Sequence, residues 1–179
     1  MRVISGLYKG LKLEDKYIKN VRPTTDKIKE SLFNILQFEI ENKFFLDLFG
    51  GTGQIGIEAA SRGAKKVVIV DNNMDSINTV KKNMSKIKNN DNIISIVKAS
   101  SDSFLKNNTE KFDIAFLDPP YLDINLLHRS LLNIKNHMKK NSIIAIESLK
   151  QTEILNYSND FILQNRYIYG KIALHIYRN

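Results

Sequence analysis

From residue 44 onward, short apolar runs rich in β-branched and aromatic residues alternate with segments of helical periodicity. No other feature restricts the fold as much. "FFLDLF" (44–49) reads as a strand and "QIGIEAASRG" as a helix stopped by Gly63. "KKVVIVD" is a second strand, and "MDSINTVKKNMSKIK" a long helix with a polar face. "IISIV" is a third strand, "SDSFLK" a short helix and "FDIAFL" a fourth strand. A helix with Ile124, Leu127, Leu131, Ile134 and Met138 on one face comes next, then "SIIAIES" as a fifth strand. Two more strands lie in "FILQNRYIYGKIALHIYR", turning at Tyr169-Gly170. This repetition predicts an α/β fold, a seven-stranded, mostly parallel sheet with helices on both faces. Ligands in such sheets bind beyond the carboxyl ends of the strands.

The first residues break the pattern. "RVISG" and "LKLED" predict a small β-hairpin turning through Gly6 and Gly10. Residues 24–38 carry Ile28, Leu32, Ile35 and Leu36 at helical spacing, with Thr24 or Thr25 as cap and Asp26 in the first turn. The expected organisation is an N-terminal hairpin extension over 1–23 and one main domain over 24–179. The formal charge of +8 points to a polyanionic partner, and nucleic acid is the obvious one. Residues 1–29 hold eight Lys/Arg against Glu14, Asp15 and Asp26, a local net of +5.

Composition excludes other classes. With 42% hydrophobic and 26% charged residues the chain has the balance of a globular protein. No apolar run reaches membrane-span length, and residues 1–20 lack a signal-peptide core, so a cytoplasmic protein is expected. The absence of cysteine rules out thiolate metal sites, and His128, His137 and His175 have no ligand-like spacing, so no metal is expected.

Four of the eight glycines fall within positions 50–56 of "DLFGGTGQIG". Gly51, Gly53 and Gly56 satisfy G-x-G-x-x-G between a strand and a helix, and Asp71 ends the next strand twenty residues past Gly51. Such glycines let the backbone turn sharply and approach a ligand, while the strand-end acid accepts ribose hydroxyls. A P-loop is excluded because no Gly-Lys-Ser/Thr follows. The motif alone fits a nicotinamide dinucleotide as well. Asp47 makes the pattern Asp-x-x-x-Gly-x-Gly, which resembles motif I of the S-adenosylmethionine-dependent class I methyltransferases. The resemblance implies that cofactor, held by Asp47, Phe49, Gly50, Gly51, Gly53 and Asp71, in a Rossmann-like fold.

The fourth strand runs into Asp118-Pro119-Pro120-Tyr121. As structure, the prolines end the strand, since neither has an N–H for the ladder. As chemistry, the stretch resembles the (Asp/Asn/Ser)-Pro-Pro-(Tyr/Phe/Trp) motif of methyltransferases that act on exocyclic amines of bases. An aromatic amine attacks a methyl group poorly because its lone pair is delocalised into the ring. Acceptors at Asp118 and the Pro119 carbonyl would hold and polarise the nitrogen, with the prolines fixing the carbonyl's direction. Tyr121 offers a face on which a flipped-out base can stack. The expected catalytic residues are therefore Asp118, Pro119 and Tyr121, with Asp118 also beside the cofactor and Pro120 beside the base.

"MRVISGLYKGLKL", "RPTTDKIKESLFNIL", "LDLFGGTGQIGIEAASRGA", "FDIAFLDPPY" and "YGKIALHIYR" together, in this order and over nearly the whole chain, resemble the RsmD family. That resemblance implies methylation of N2 of a guanine in 16S ribosomal RNA (guanine 966). The implied substrate is an assembled or nearly assembled small ribosomal subunit, met by a monomer. It makes Arg22, Pro23 and Thr24 a lid over cofactor and base, with Arg2, Lys9 and Lys12 on RNA phosphates. All three prolines of the chain, Pro23, Pro119 and Pro120, lie in these two segments. Family members carry an Asp-Ala pair after the third strand; Ser100 and Ser101 stand here, with Asp102 behind. A serine hydroxyl, or Asp102, would then meet the adenine, with Asn72 beside it.

Other readings stay open on motifs alone. Asp-Pro-Pro-Tyr also suits methylation of adenine N6 or cytosine N4 in DNA, although one catalytic domain consumes nearly all 179 residues and leaves little for a sequence-reading domain. A non-catalytic RNA-binding ribosome-assembly factor would not need both motifs intact. A nicotinamide dehydrogenase gives Asp118–Tyr121 no role.

Overall fold

The computed structural model describes residues 1–14, 26–87, 93–154 and 160–179. Its strands are β1 (Phe44–Asp47), β2 (Lys66–Asp71), β3 (Ile94–Lys98), β4 (Phe112–Leu117), β5 (Met138–Leu149), β6 (Ile162–Tyr169) and β7 (Ile172–Arg178). Its helices are α1 (Asp26–Ile35), α2 (Gln54–Ser61), α3 (Met74–Met84), α4 (Ser101–Asn107) and α5 (Ile124–Ile134). The strands make one seven-stranded sheet in the order β3-β2-β1-β4-β5-β7-β6. Neighbours from β3 through β5 pair in parallel, while β7 runs antiparallel to both β5 and β6. This is the expected mostly parallel sheet, with its order reversing between β1 and β4.

Strands covered on both faces read as unbroken apolar runs, because successive side chains point to opposite faces. Phe45, Val67, Ile69, Ile114, Phe116, Ile143 and Ala145 share a core with Leu32 and Phe33 of α1, Ile55 and Ile57 of α2 and Val80 of α3. Their alternates Leu46, Val68, Val70, Ala115, Leu117, Ile144 and Ile146 pack with Phe104 of α4 and Leu127 and Leu131 of α5. Each βα connection therefore emerges at the same end of the sheet.

One expectation changes. Met138 opens β5 opposite Phe112 instead of continuing α5, which stops at Ile134 before a 3-10 turn over Lys135–His137. Pairing with the fully buried Phe112 overrides the helical spacing. Residues 1–14 turn back on themselves through the antiparallel Arg2–Lys12 bridge, with Val3 N–H on the Leu11 carbonyl at 3.0 Å and Leu13 N–H on the Met1 carbonyl at 3.1 Å, the small hairpin that the sequence suggests. The turn end of this hairpin docks on α2: Ile4 and Ser5 donate N–H bonds to the Glu58 carboxyl at 2.7 and 3.0 Å, and Tyr8 N–H bonds the Ser61 hydroxyl at 2.9 Å. Lys29 of α1, fully buried, donates to the Arg2 carbonyl at 2.7 Å. The segment belongs to the main core through Val3 and Leu13. Thr24 and Thr25, the expected caps of α1, lie outside the described residues.

Gly6 allows this docking. Its φ is +82°, and a Cβ there would stand 1.8 Å from the Ser61 carbonyl oxygen. Gly6→Ala therefore has both a disfavoured backbone and a clash with backbone atoms, and is expected to lower stability by about 1–3 kcal/mol. Urea unfolding of the two proteins measures this. An unchanged midpoint would mean that the seat on α2 adds nothing to stability.

Candidate active site

The glycine turn, which leads from β1 into α2, is held by the neighbouring strand β2. Gly50 N–H bonds the Val70 carbonyl at 2.8 Å, and Gly51 N–H bonds Asp71 Oδ2 at 2.8 Å. The other Asp71 oxygen accepts from Asn73 N–H at 2.8 Å. Gly53, at φ +78°, begins α2 in the left-handed region, where a side chain would be strained. Gly56 packs α2 directly on β2, for a Cβ there would come within 2.5 Å of the Ile69 side chain. Its N–H donates to Asp47 Oδ2 at 3.1 Å. Asp47 is 1% exposed, and burial, with Asp71 nearby, pushes its carboxyl up to about 7 against the hydrogen bond from Gly56. A cation brought to this carboxyl would be met by a group that ionises readily near neutrality.

After β3, Ser100 caps α4, its hydroxyl accepting from Ser103 N–H at 3.2 Å. Ser101 is buried and meets the Ser130 hydroxyl at 3.2 Å. Asp102 turns to Arg129 at 3.4 Å and does not line the cavity, so the idea that it reaches in is not realised. On the α3 side Asn73 caps the helix, accepting from Asp75 N–H at 2.7 Å. Beneath it the fully buried Ser76 hydroxyl has no hydrogen-bond partner among the described residues, and Ser76 lines the cavity.

The Asp118–Tyr121 corner closes the other end. The Pro120 carbonyl is engaged by Asp123 N–H at 2.9 Å, and Asp123 in turn caps α5. Tyr121 donates its hydroxyl to Glu147 Oε1 at 2.6 Å. Leu122 stands at the mouth, 98% exposed.

One cavity of about 740 Å³ joins these walls, within the range for a small-molecule site. It brings together Asp47, Phe49, Gly50, Gly51, Asp71, Asn72, Ser100, Ser101 and Asp118 through Tyr121. Gly53 shapes the turn from outside the lining. Arg2, Lys9 and Lys12 are exposed on the N-terminal segment, away from the lining, and Arg22, Pro23 and Thr24 lie outside the described residues. The residues that reading the sequence missed are Asn73, Ser76 and Glu147. Glu147 carried a usable signal, a lone acid near the end of the apolar run "SIIAIES", as Asp71 ends "KKVVIVD". The cavity suits a cofactor with a cationic end at Asp47, hydroxyls at Asp71 and a polar edge toward the Ser76 hydroxyl.

The family model described as "Conserved hypothetical protein 95" matches residues 1–178. The Haemophilus influenzae protein named "Ribosomal RNA small subunit methyltransferase D" is 36% identical over 183 aligned residues, covering 100% of this chain and 94% of that one. The protein of the same name from Buchnera aphidicola (subsp. Acyrthosiphon pisum) is 37% identical, with 98% and 91% covered. Among solved structures, the Escherichia coli protein yhhF superposes with a TM-score of 0.90 at 26% identity, covering 100% of this chain and 97% of that one.

The raised Asp47 carboxyl has a consequence for stability. Unfolded, the group ionises near its ordinary 3.8; folded, it holds its proton to about 7. Its contribution is fully present below pH 3.8 and is lost as pH rises through 7. Asp47→Asn does not titrate, so it should gain on the parent between these limits by a few kcal/mol, at about 1.4 kcal/mol per unit. Urea unfolding of both proteins from pH 4 to 8 tests this. A constant difference between them would mean that Asp47 titrates alike in both states.

Proposed function

Since the chain belongs to the RsmD family of small-subunit ribosomal RNA methyltransferases, we propose that it methylates the exocyclic N2 amine of a guanine in 16S rRNA. The methyl donor is S-adenosylmethionine. The observation that carries the reading is that the Asp118–Tyr121 corner opens into the same cavity as the Asp47–Asp71 glycine turn.

When bound, the cofactor supplies an electrophilic methyl group on a sulfonium. Asp47 answers its amino-acid end, and Asp71 accepts from ribose hydroxyls while its two oxygens brace the turn. Asn72, the Ser76 hydroxyl and the turn into α4 at Ser100 and Ser101 would hold the adenine edge. Asp118 and the Pro119 carbonyl accept from the target N–H₂ and stabilise the positive charge that the nitrogen develops as it attacks. Tyr121 supports the flipped base by stacking. Much of the acceleration then comes from holding amine and methyl in line.

In this reading residues 1–23 form an RNA-contacting extension of the catalytic domain over 24–179. Arg2, Lys9 and Lys12 meet phosphates outside the cavity. The substrate is the assembled or nearly assembled small subunit, met by a monomer in the cytoplasm. Among the described residues no helix is long and apolar enough to cross a membrane.

Labelled methyl transfer to small subunits, free 16S rRNA and DNA, followed by nucleoside identification, tests the reading. N2-methylguanosine from the ribosomal samples is expected, above all from the subunits. N6-methyladenine or N4-methylcytosine from DNA would replace it with a DNA-directed reading. Tyr121→Ala is expected to lower single-turnover transfer by roughly 10- to 100-fold, since base stacking contributes about 1–3 kcal/mol. Cofactor affinity by calorimetry should stay unchanged. Full transfer by the variant would remove the stacking role.

A further inference from the structure

We propose that Leu122 is a wedge that enters the RNA beside the target guanine and stacks on the flanking base. This rests on the guanine-N2 reading above and deepens it, by naming what keeps the base out of its stack.

Leu122 is 98% exposed, yet it lines the same cavity as Asp118 through Tyr121. A single exposed leucine is ordinary on a protein surface. This one stands in a lip that is apolar on both sides of it. Pro120 is exposed, Tyr121 is half-buried and Ile124 is 36% exposed. The lip is also held still. Asp123 N–H bonds the Pro120 carbonyl across Leu122 at 2.9 Å. The Asp123 carboxyl accepts from Leu126 N–H at 2.9 Å, which ties the turn to the start of α5. On the other side the Tyr121 hydroxyl bonds the buried Glu147 at 2.6 Å. Leu122 thus projects from a turn fixed at both flanking residues, and little backbone freedom remains to be lost when it meets a partner.

The occupant follows from the place. A base whose amine reaches Asp118 and the Pro119 carbonyl has to enter this mouth, so its strand crosses the lip. Any other macromolecule seated here would cover the entrance. Flipping unstacks the target and bares the face of the base next to it, at a cost in free energy. Apolar side chains, leucine among them, can enter base steps. Here one would offset that cost by covering the bared face. Leucine has no side-chain donor or acceptor with which to read a base edge, so it suits the face of whichever base flanks the target. Tyr121 and Leu122 start from neighbouring Cα atoms, about 3.8 Å apart, close to the roughly 3.4 Å between stacked bases. One residue can therefore receive the flipped base while the next takes its neighbour.

The test is a cycle between protein and RNA. Small subunits are reconstituted with intact 16S rRNA, or with rRNA that has an abasic site 5′ or 3′ to the methylated guanine. Single-turnover transfer is measured for the unaltered protein and for Leu122→Ala. On intact rRNA the variant should be about 10-fold slower, the size of effect that a base stacked on a side chain gives. On one of the abasic RNAs the two proteins should agree within about 2-fold, because the wedge has lost its base. The proteins are compared within each RNA, so any effect of the abasic site on assembly cancels. Leu122→Met keeps a long apolar side chain and should retain the parent rate on intact rRNA. Calorimetry should show unchanged S-adenosylmethionine affinity for Leu122→Ala. A full rate for Leu122→Ala on intact rRNA would overturn the inference and leave the lip to a protein contact. A loss that persists on both abasic RNAs would overturn it as well. In either case N2-methylguanosine from intact subunits would leave the guanine reading standing; its absence would overturn the two together.

Discussion

The side chain of Ile69 sits between two glycines that cannot carry one. A Cβ on Gly50 would meet its Cγ2 at 2.3 Å, and one on Gly56 would meet its Cγ1 at 2.5 Å. The chain leaving β1 therefore wraps around a single β2 side chain and enters α2 with its backbone pressed on the sheet. Because interiors are close-packed, this contact leaves the turn little choice of path. Along that path the Gly51 N–H reaches Asp71 and the Gly56 N–H reaches Asp47. Two acids from neighbouring strands are thereby fastened to one turn, and the cavity begins there.

Acids near the carboxyl ends of β1, β2, β4 and β5 (Asp47, Asp71, Asp118 and Glu147) recur because the strands are parallel and end on the same side. Their environments separate their chemistry. Asp47 is buried and holds its proton to about 7, whereas Asp71 has a backbone N–H on each oxygen. Glu147 is buried against the Tyr121 hydroxyl, and Asp118 faces the common cavity. The division matches the topology, with the glycine turn at β1 and β2 and the Asp118–Tyr121 corner beside β4 and β5.

Much of this was legible along the chain. The sheet, the glycine turn and the corner are local patterns: apolar runs, glycine spacing and prolines act within a few residues. What escaped was decided by contacts distant in sequence. Met138 has helical spacing from Ile134, yet Phe112 draws it into β5. "RVISG" and "LKLED" suggest a hairpin, but not that Glu58 and Ser61 of α2 would seat its turn end. Asp102 lies beside Ser101 in the chain, yet Arg129 holds it outside the cavity. Ser76 carries no motif, and Glu147 has only its place near the end of an apolar run, while its burial and its partner 26 residues away depend on the fold.

By itself the sequence determined the kind of fold and the two motifs, the glycine turn and the Asp118–Tyr121 corner, that line one cavity at the carboxyl ends of the strands. These follow from periodicity and from residues whose backbone freedom is unusual in either direction, glycine and proline. Only the tertiary structure decided which acids are buried, which hydroxyls are already engaged and that Tyr121 is anchored by a strand outside its own motif. Burial and hydrogen bonding depend on what the rest of the chain brings to a side chain, and neighbouring residues in sequence do not encode that.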